Sequence, residues 1–222
     1  MTALKKNTSA YDAKCRSCAR LADYLDEVRS EYPKYFCAPV PSFGDKQPSL
    51  LIVGLAPGLH GANRTARPFT GDHAGILLYA TLHKFGFANH GGSADPGDGL
   101  KLSNCRITNA VKCLPPANKP LPAEIKRCNV YLANEIAACT PKAILALGRV
   151  AHDAVLMAVG LRAAAHAFAH GAQHSILTDG GGFELFDSYH CSRYNTQTRR
   201  LTTPMFESVV LAAKRHVDAG KK

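Results

Sequence analysis

The chain has no apolar run near the roughly 18 residues that a membrane span requires, and its opening residues, MTALKKNTSA, hold no apolar signal-peptide core. A membrane-spanning fold is set aside, and a soluble, cytoplasmic protein is expected. Acidic residues are scarce: 17 Asp and Glu stand against 27 Lys and Arg, for a formal net charge of +10. That imbalance favours a polyanionic partner, because basic side chains displace the counterions condensed on phosphates. Internal repeats are missing, and so is any linker long enough to separate a pair of domains. The 222 residues, 46% of them hydrophobic, are therefore expected to form one domain, 1–222, with a sizeable core.

Cysteine, by contrast, is plentiful, with eight at 15, 18, 37, 105, 113, 128, 139 and 191. Without a secretion signal, a reducing compartment points to metal ligation rather than disulfides. Cys15 and Cys18 form a C-x2-C pair, and Cys113 and Cys128 a stretched C-x14-C pair. Thiolates are soft ligands that select zinc or an iron–sulfur cluster. Structural zinc sites commonly use two short pairs, so the long second spacing favours iron–sulfur over zinc. Cys105 and Cys139 read as small core residues, and Cys37 remains open as a substitute ligand.

Apolar residues Leu21, Tyr24, Leu25 and Val28 recur at helical spacing after the first pair. Strands are expected over Leu50–Leu55, Arg106–Val111, Ala143–Leu147 and Phe183–Tyr189. Helices are expected around Ile76–His83 and over Glu124–Ala138, Gly148–Val159 and Thr203–Val217. Residues 32–46 read as an irregular connection and Asn89–Gly99 as a mobile loop. Strands alternating with helices imply a three-layer α/β/α fold around a central four-stranded parallel sheet. The loops with the most distinctive composition follow Leu55, Val111 and Tyr189, at the carboxyl ends of strands, where such sheets bind ligands.

Three of these segments carry a resemblance. Gly54-Leu55-Ala56-Pro57-Gly58, followed by residues 61–72 (GANRTARPFTGD), resembles the first motif of the family 5, or type B, uracil-DNA glycosylases. Residues 106–120 resemble the strand and Pro-rich loop that follow in that family, and residues 188–198 (SYHCSRYNTQT) resemble its DNA-inserting loop. The cysteine set resembles the four-iron, four-sulfur ligands of families 4 and 5. The resemblance implies a uracil-DNA glycosylase fold and a 4Fe-4S cluster on Cys15, Cys18, Cys113 and Cys128. It also implies an enzyme that flips uracil, and other deaminated bases such as hypoxanthine or xanthine, out of duplex DNA and hydrolyses the bond to the sugar. The expected enzyme is a monomer that leaves an abasic site. No motif positions a lysine as a Schiff-base nucleophile, so the strand is expected to stay intact.

The residues can be assigned roles within that implied reaction. His190 would donate to the leaving uracil oxygen. Asp72 would orient water and stabilise the cation-like sugar, or simply cap the helix after it. Asn118 matches a functionally important Asn of the Pro-rich loop. Gly54, Leu55, Ala56 and Gly58 would let backbone amides approach the base, Phe69 would stack on it, and Asn109 would read its edge through an amide that both donates and accepts. Arg193, Tyr194, Asn195 and Gln197 form the expected wedge, with Ser192 beside them as a further expected DNA contact. Arg64 and Arg67, with Lys112, Lys119, Arg199 and Arg200, are expected phosphate contacts. Two rivals stand beside this reading: a non-catalytic reader of damaged DNA, and a hydrolase using Cys191 beside His190.

Overall fold

The computed structural model describes residues 10–178 and 181–219. Four strands run parallel through its centre: β2 (Leu50–Gly54), β3 (Cys105–Asn109), β4 (Ala143–Leu147) and β6 (Gly181–Ser188). The expected parallel core is therefore present. Two edge strands that composition did not signal widen it to six, in the order β1-β3-β2-β4-β6-β5. β1 is only Phe43–Gly44, inside the segment expected to be irregular, and pairs antiparallel with β3. β5 (Gln173–Thr178) pairs antiparallel with β6. Its outward residues include Leu177 and its inward ones include His174, so no clean apolar alternation marks it.

The central strands are apolar throughout because both faces are covered. In β2 all five residues are buried. Leu50 and Ile52 point to one layer, with Leu78 and Leu82 of α3 (His73–Lys84) and Phe206, Val210 and Val217 of α7 (Thr203–Ala219). Leu51 and Val53 point to the other, with Leu132 of α4 (Pro122–Cys139) and Ala151 and Val155 of α5 (Arg149–Ala158). Each fully buried Leu, Ile or Val contributes about 1.5–3 kcal/mol of transfer free energy. The helix α1 (Ala19–Glu31) lays Leu25 and Val28 against Cys37 and Leu114, a third and smaller core. Among the described residues no helix is long and apolar enough to cross a membrane.

One buried charge network fixes the second face. Glu135 of α4 takes Arg106 Nε at 2.7 Å and Lys112 Nζ at 3.1 Å, and Thr108 donates to it at 2.8 Å. Lys112 is 3% exposed, so this expected phosphate contact is instead a structural cation that ties β3 to α4.

Candidate active site

The carboxyl ends of β2, β3 and β6 open into one pocket of about 440 Å³. Its wall includes Leu55, Ala56 and Gly58 after β2, Asn109 at the end of β3, and His190 and Ser192 after β6. Phe69, Asp72 and Asn118 complete the set, so all three expected catalytic residues meet in one cavity. Gly54 lies beneath it, where a Cβ would stand 2.5 Å from Asn109 Oδ1 and 2.7 Å from the Phe69 ring. Any larger residue would push the two out of place.

Asp72 is both cap and pocket wall. Its Oδ1 accepts the Gly75 amide at 3.0 Å, capping α3. Its Oδ2 faces Gly61, where a Cβ would come within 2.5 Å of it. Burial lifts the carboxyl above its ordinary pKa, and the amides of Gly75 and Ala74 pull against that shift.

His190 faces the same space. Burial pushes its imidazole down to about 4, so it stays neutral at physiological pH. Its backbone carbonyl accepts Asn195 Nδ2 at 2.8 Å, and its ring lies 5.9 Å from that of Phe69 at an interplanar angle of 30°. Phe69 itself has a left-handed backbone, φ 54°. For a bulky residue this conformation stores strain of order 1 kcal/mol, which clusters at functional sites. At the pocket floor Asn109 is 3% exposed and its Oδ1 has no hydrogen-bond partner. A buried acceptor left unpaired costs about 1–3 kcal/mol, and an N–H donor entering the pocket would satisfy it. Asn118 stands at the mouth with φ 55°, a conformation that Asn tolerates.

The model of the uracil DNA glycosylase superfamily matches residues 41–214. The chain belongs to that superfamily. Among curated relatives it is 46% identical over 209 residues to the type-5 uracil-DNA glycosylase of Thermus thermophilus, covering 90% of this chain and 93% of that protein. It is 39% identical over 210 residues to the type-5 uracil-DNA glycosylase of Pyrobaculum aerophilum, covering 93% and 89%. The type-4 uracil-DNA glycosylase of the same organism is 32% identical over 158 residues, covering 71% of this chain and 73% of that one.

In this superfamily member not every expected DNA contact faces the pocket. Arg67 is 6% exposed. Its guanidinium pairs with Asp98 at 2.7 Å, donates to Thr70 Oγ1 at 2.7 Å and to the Asp95 carbonyl at 2.9 Å, and lies over the Phe43 ring. It is therefore a clamp, and the loop expected to be mobile is pinned by it. The carboxyl of Asp98 is pulled down to about 2 by that bond. Arg64 stays at the surface, where Arg64, Arg193, Asp72 and His73 line a groove of about 510 Å³ adjoining the pocket.

The expected wedge is not an irregular loop but a short helix, α6 (Arg193–Gln197), capped by Ser192. Tyr194 is 70% exposed on it and Gln197 is exposed as well. Asn195 is half-buried and holds the His190 carbonyl through its Nδ2, which braces the loop. Sequence reasoning missed His73, which lines the pocket and shares a hydrogen bond of 3.0 Å with Thr196 of α6. Its place next to Asp72 was the available signal. Cys191 is fully buried and its thiol is pushed far up by burial. That excludes the Cys–His hydrolase, because the thiolate is the nucleophile.

Cys15, Cys18, Cys113 and Cys128 line a second cavity, of about 250 Å³. None of the four is tied up in a disulfide, and the Lys112 amide donates to Cys128 Sγ at 3.4 Å. Cys37 does not line that cavity; it packs with Leu25 and Val28. Among the described residues, the one group of three or more ligating atoms within 4.8 Å of one another is His152, His174 and Asp187. Four soft thiolate donors around one cavity fit an iron–sulfur cluster.

Proposed function

We propose that this chain excises uracil from DNA by hydrolysing its N-glycosidic bond and leaves an abasic site. The observation that carries the reading is the pocket itself, with an imidazole, a half-buried carboxyl group and an unpaired amide oxygen around one base-sized space. The extruded base would stack near Phe69 and give its N3–H to Asn109 Oδ1. As the C1′–N1 bond breaks, its electron pair passes to uracil. His190, as a neutral donor, would hydrogen-bond the oxygen on which that charge gathers. The carboxylate of Asp72 would stabilise the cation-like sugar and take a proton from the water that adds to C1′, and a proton gained by the departing uracil anion from solvent would balance the hydrolysis. Leu55 in the wall offers no second water-activating group.

The test is release of free uracil from a uracil-containing duplex. Asp72→Asn and His190→Ala are each expected to slow the chemical step about 10²–10³-fold, the usual cost of one transition-state partner. Tight binding with no release by the wild type would instead identify a non-catalytic reader. The walls Leu55, Ala56, Ala62 and Ala74 impose few polar constraints, which supports excision of hypoxanthine and xanthine as well. The exposed Tyr194 on α6 beside the pocket supports duplex DNA as substrate, with α6 filling the gap left by the base.

The cofactor reading is a 4Fe-4S cluster held by Cys15, Cys18, Cys113 and Cys128. It would act structurally, tying the N-terminal segment to the Pro-rich loop and α4. Broad absorption near about 400 nm in protein purified without oxygen is the expected signature, and bound zinc in its place would overturn it. A single domain, 1–222, acting as a monomer in the cytoplasm completes the proposal.

A further inference from the structure

A third site lies apart from both cavities, where α5, β5 and β6 meet. His152 is fully buried, and each of its ring nitrogens faces an oxygen acceptor: Nδ1 stands 2.8 Å from Asp187 Oδ1, and Nε2 stands 2.8 Å from the His166 carbonyl. A neutral imidazole has only one N–H. A second cation, proton or metal, must therefore lie between His152 and Asp187. His174 converges on the same carboxylate from β5, with Nε2 at 3.2 Å from Asp187 Oδ2. The ligating atoms of all three residues fall within 4.8 Å of one another.

We propose that His152 Nδ1, His174 Nε2 and the Asp187 carboxylate hold a divalent metal ion of the zinc class. Two imidazoles and a carboxylate are the donors that zinc accepts. Neighbouring ligands on tetrahedral zinc sit about 3.3 Å apart, from bonds of 2.0–2.1 Å. The two observed separations reach that value with an opening of a few tenths of an ångström. The His166 carbonyl is the outer partner that such a site needs, since it takes the Nε2–H of His152 and so leaves Nδ1 bare for the metal. A simple imidazolium–carboxylate pair would need no second ring, whereas here two histidines from different elements share one buried carboxylate. The His166 ring stands edge-on to His174 at 5.5 Å, on the half-buried side where a fourth ligand would enter. Asp187 lies three residues before His190, so the ion would brace the strand end that carries the candidate donor.

The measurement is elemental mass spectrometry of the intact chain, expressed with zinc in the medium and then desalted. About one zinc per chain is expected beside the cluster iron. In His174→Gln and in Asp187→Asn the zinc should be lost with iron unchanged. Asp187 is buried and its variant can misfold; His174, at 15% side-chain exposure, then carries the test alone. Equal zinc in the wild type and His174→Gln, or zinc in neither, overturns the site and leaves His152 as an imidazolium.

Discussion

Asn109 offers the clearest test at the scale of single residues. Its side-chain oxygen is buried without a partner, a cost that folding alone does not explain. Asn109→Ala should leave the melting temperature within a few degrees of wild type, because the lost packing is offset by removal of an unpaired acceptor. The same change should slow uracil release, which single-turnover assays would measure. A large fall in stability with unchanged release would assign the residue to the core instead.

His190 makes a second prediction through pH. Its folded pKa of about 4 lies below the roughly 6.5 of an unfolded chain. The unfolded state therefore binds a proton first, and stability falls as pH drops from about 6.5 towards 4. The single-turnover rate constant should stay flat through neutrality and decline only on the acid side, where Asp72 also loses its charge. An inflection near 6.5 would mean that the imidazole is solvated rather than buried. Asp72, His190, Phe69 and Asn109 could be picked from the chain because the segments that hold them resemble motifs of the uracil-DNA glycosylases. Arg67 could not be assigned correctly, since its partner Asp98 lies in a loop whose path composition does not reveal.

Among the elements, the loop joining α3 to β3 rests on one guanidinium. The Asp98 carboxyl is depressed to about 2, so its stabilising bond to Arg67 is fully present above the unfolded value near 4 and lost as pH falls through about 2. Asp98→Asn should raise amide hydrogen exchange across residues 89–99 at neutral pH, and wild type should approach that pattern only in strong acid. Protection equal in both proteins would show that the backbone bonds alone hold the loop. The central strands and long helices were legible because burial on both faces writes a continuous apolar run and a helical face writes a 3.6-residue period. β1 was not, being two residues long, and β5 was not, because one inward position is taken by His174 and Leu177 points outward.

For the whole molecule, the net charge of +10 predicts binding that weakens steeply with salt. Arg193→Ala and Arg64→Ala should each lower the slope of log affinity against log salt by roughly one, as the loss of a phosphate contact does. Arg67→Ala should leave the slope unchanged, because that cation is already neutralised by Asp98. Titrations of fluorescent duplex DNA at several salt concentrations would separate the two classes. Charge alone could suggest a polyanion; only the folded chain tells which cations are free to meet it.

β6 enters the sheet between β4 and β5, and it brings His190 to a pocket whose opposite wall was made early in the chain. A polypeptide leaving the ribosome would carry its carboxylate long before its imidazole. If the proposed roles hold, half-made copies would be inert towards the genome, and competence would arrive in one step when the last parallel strand slots home.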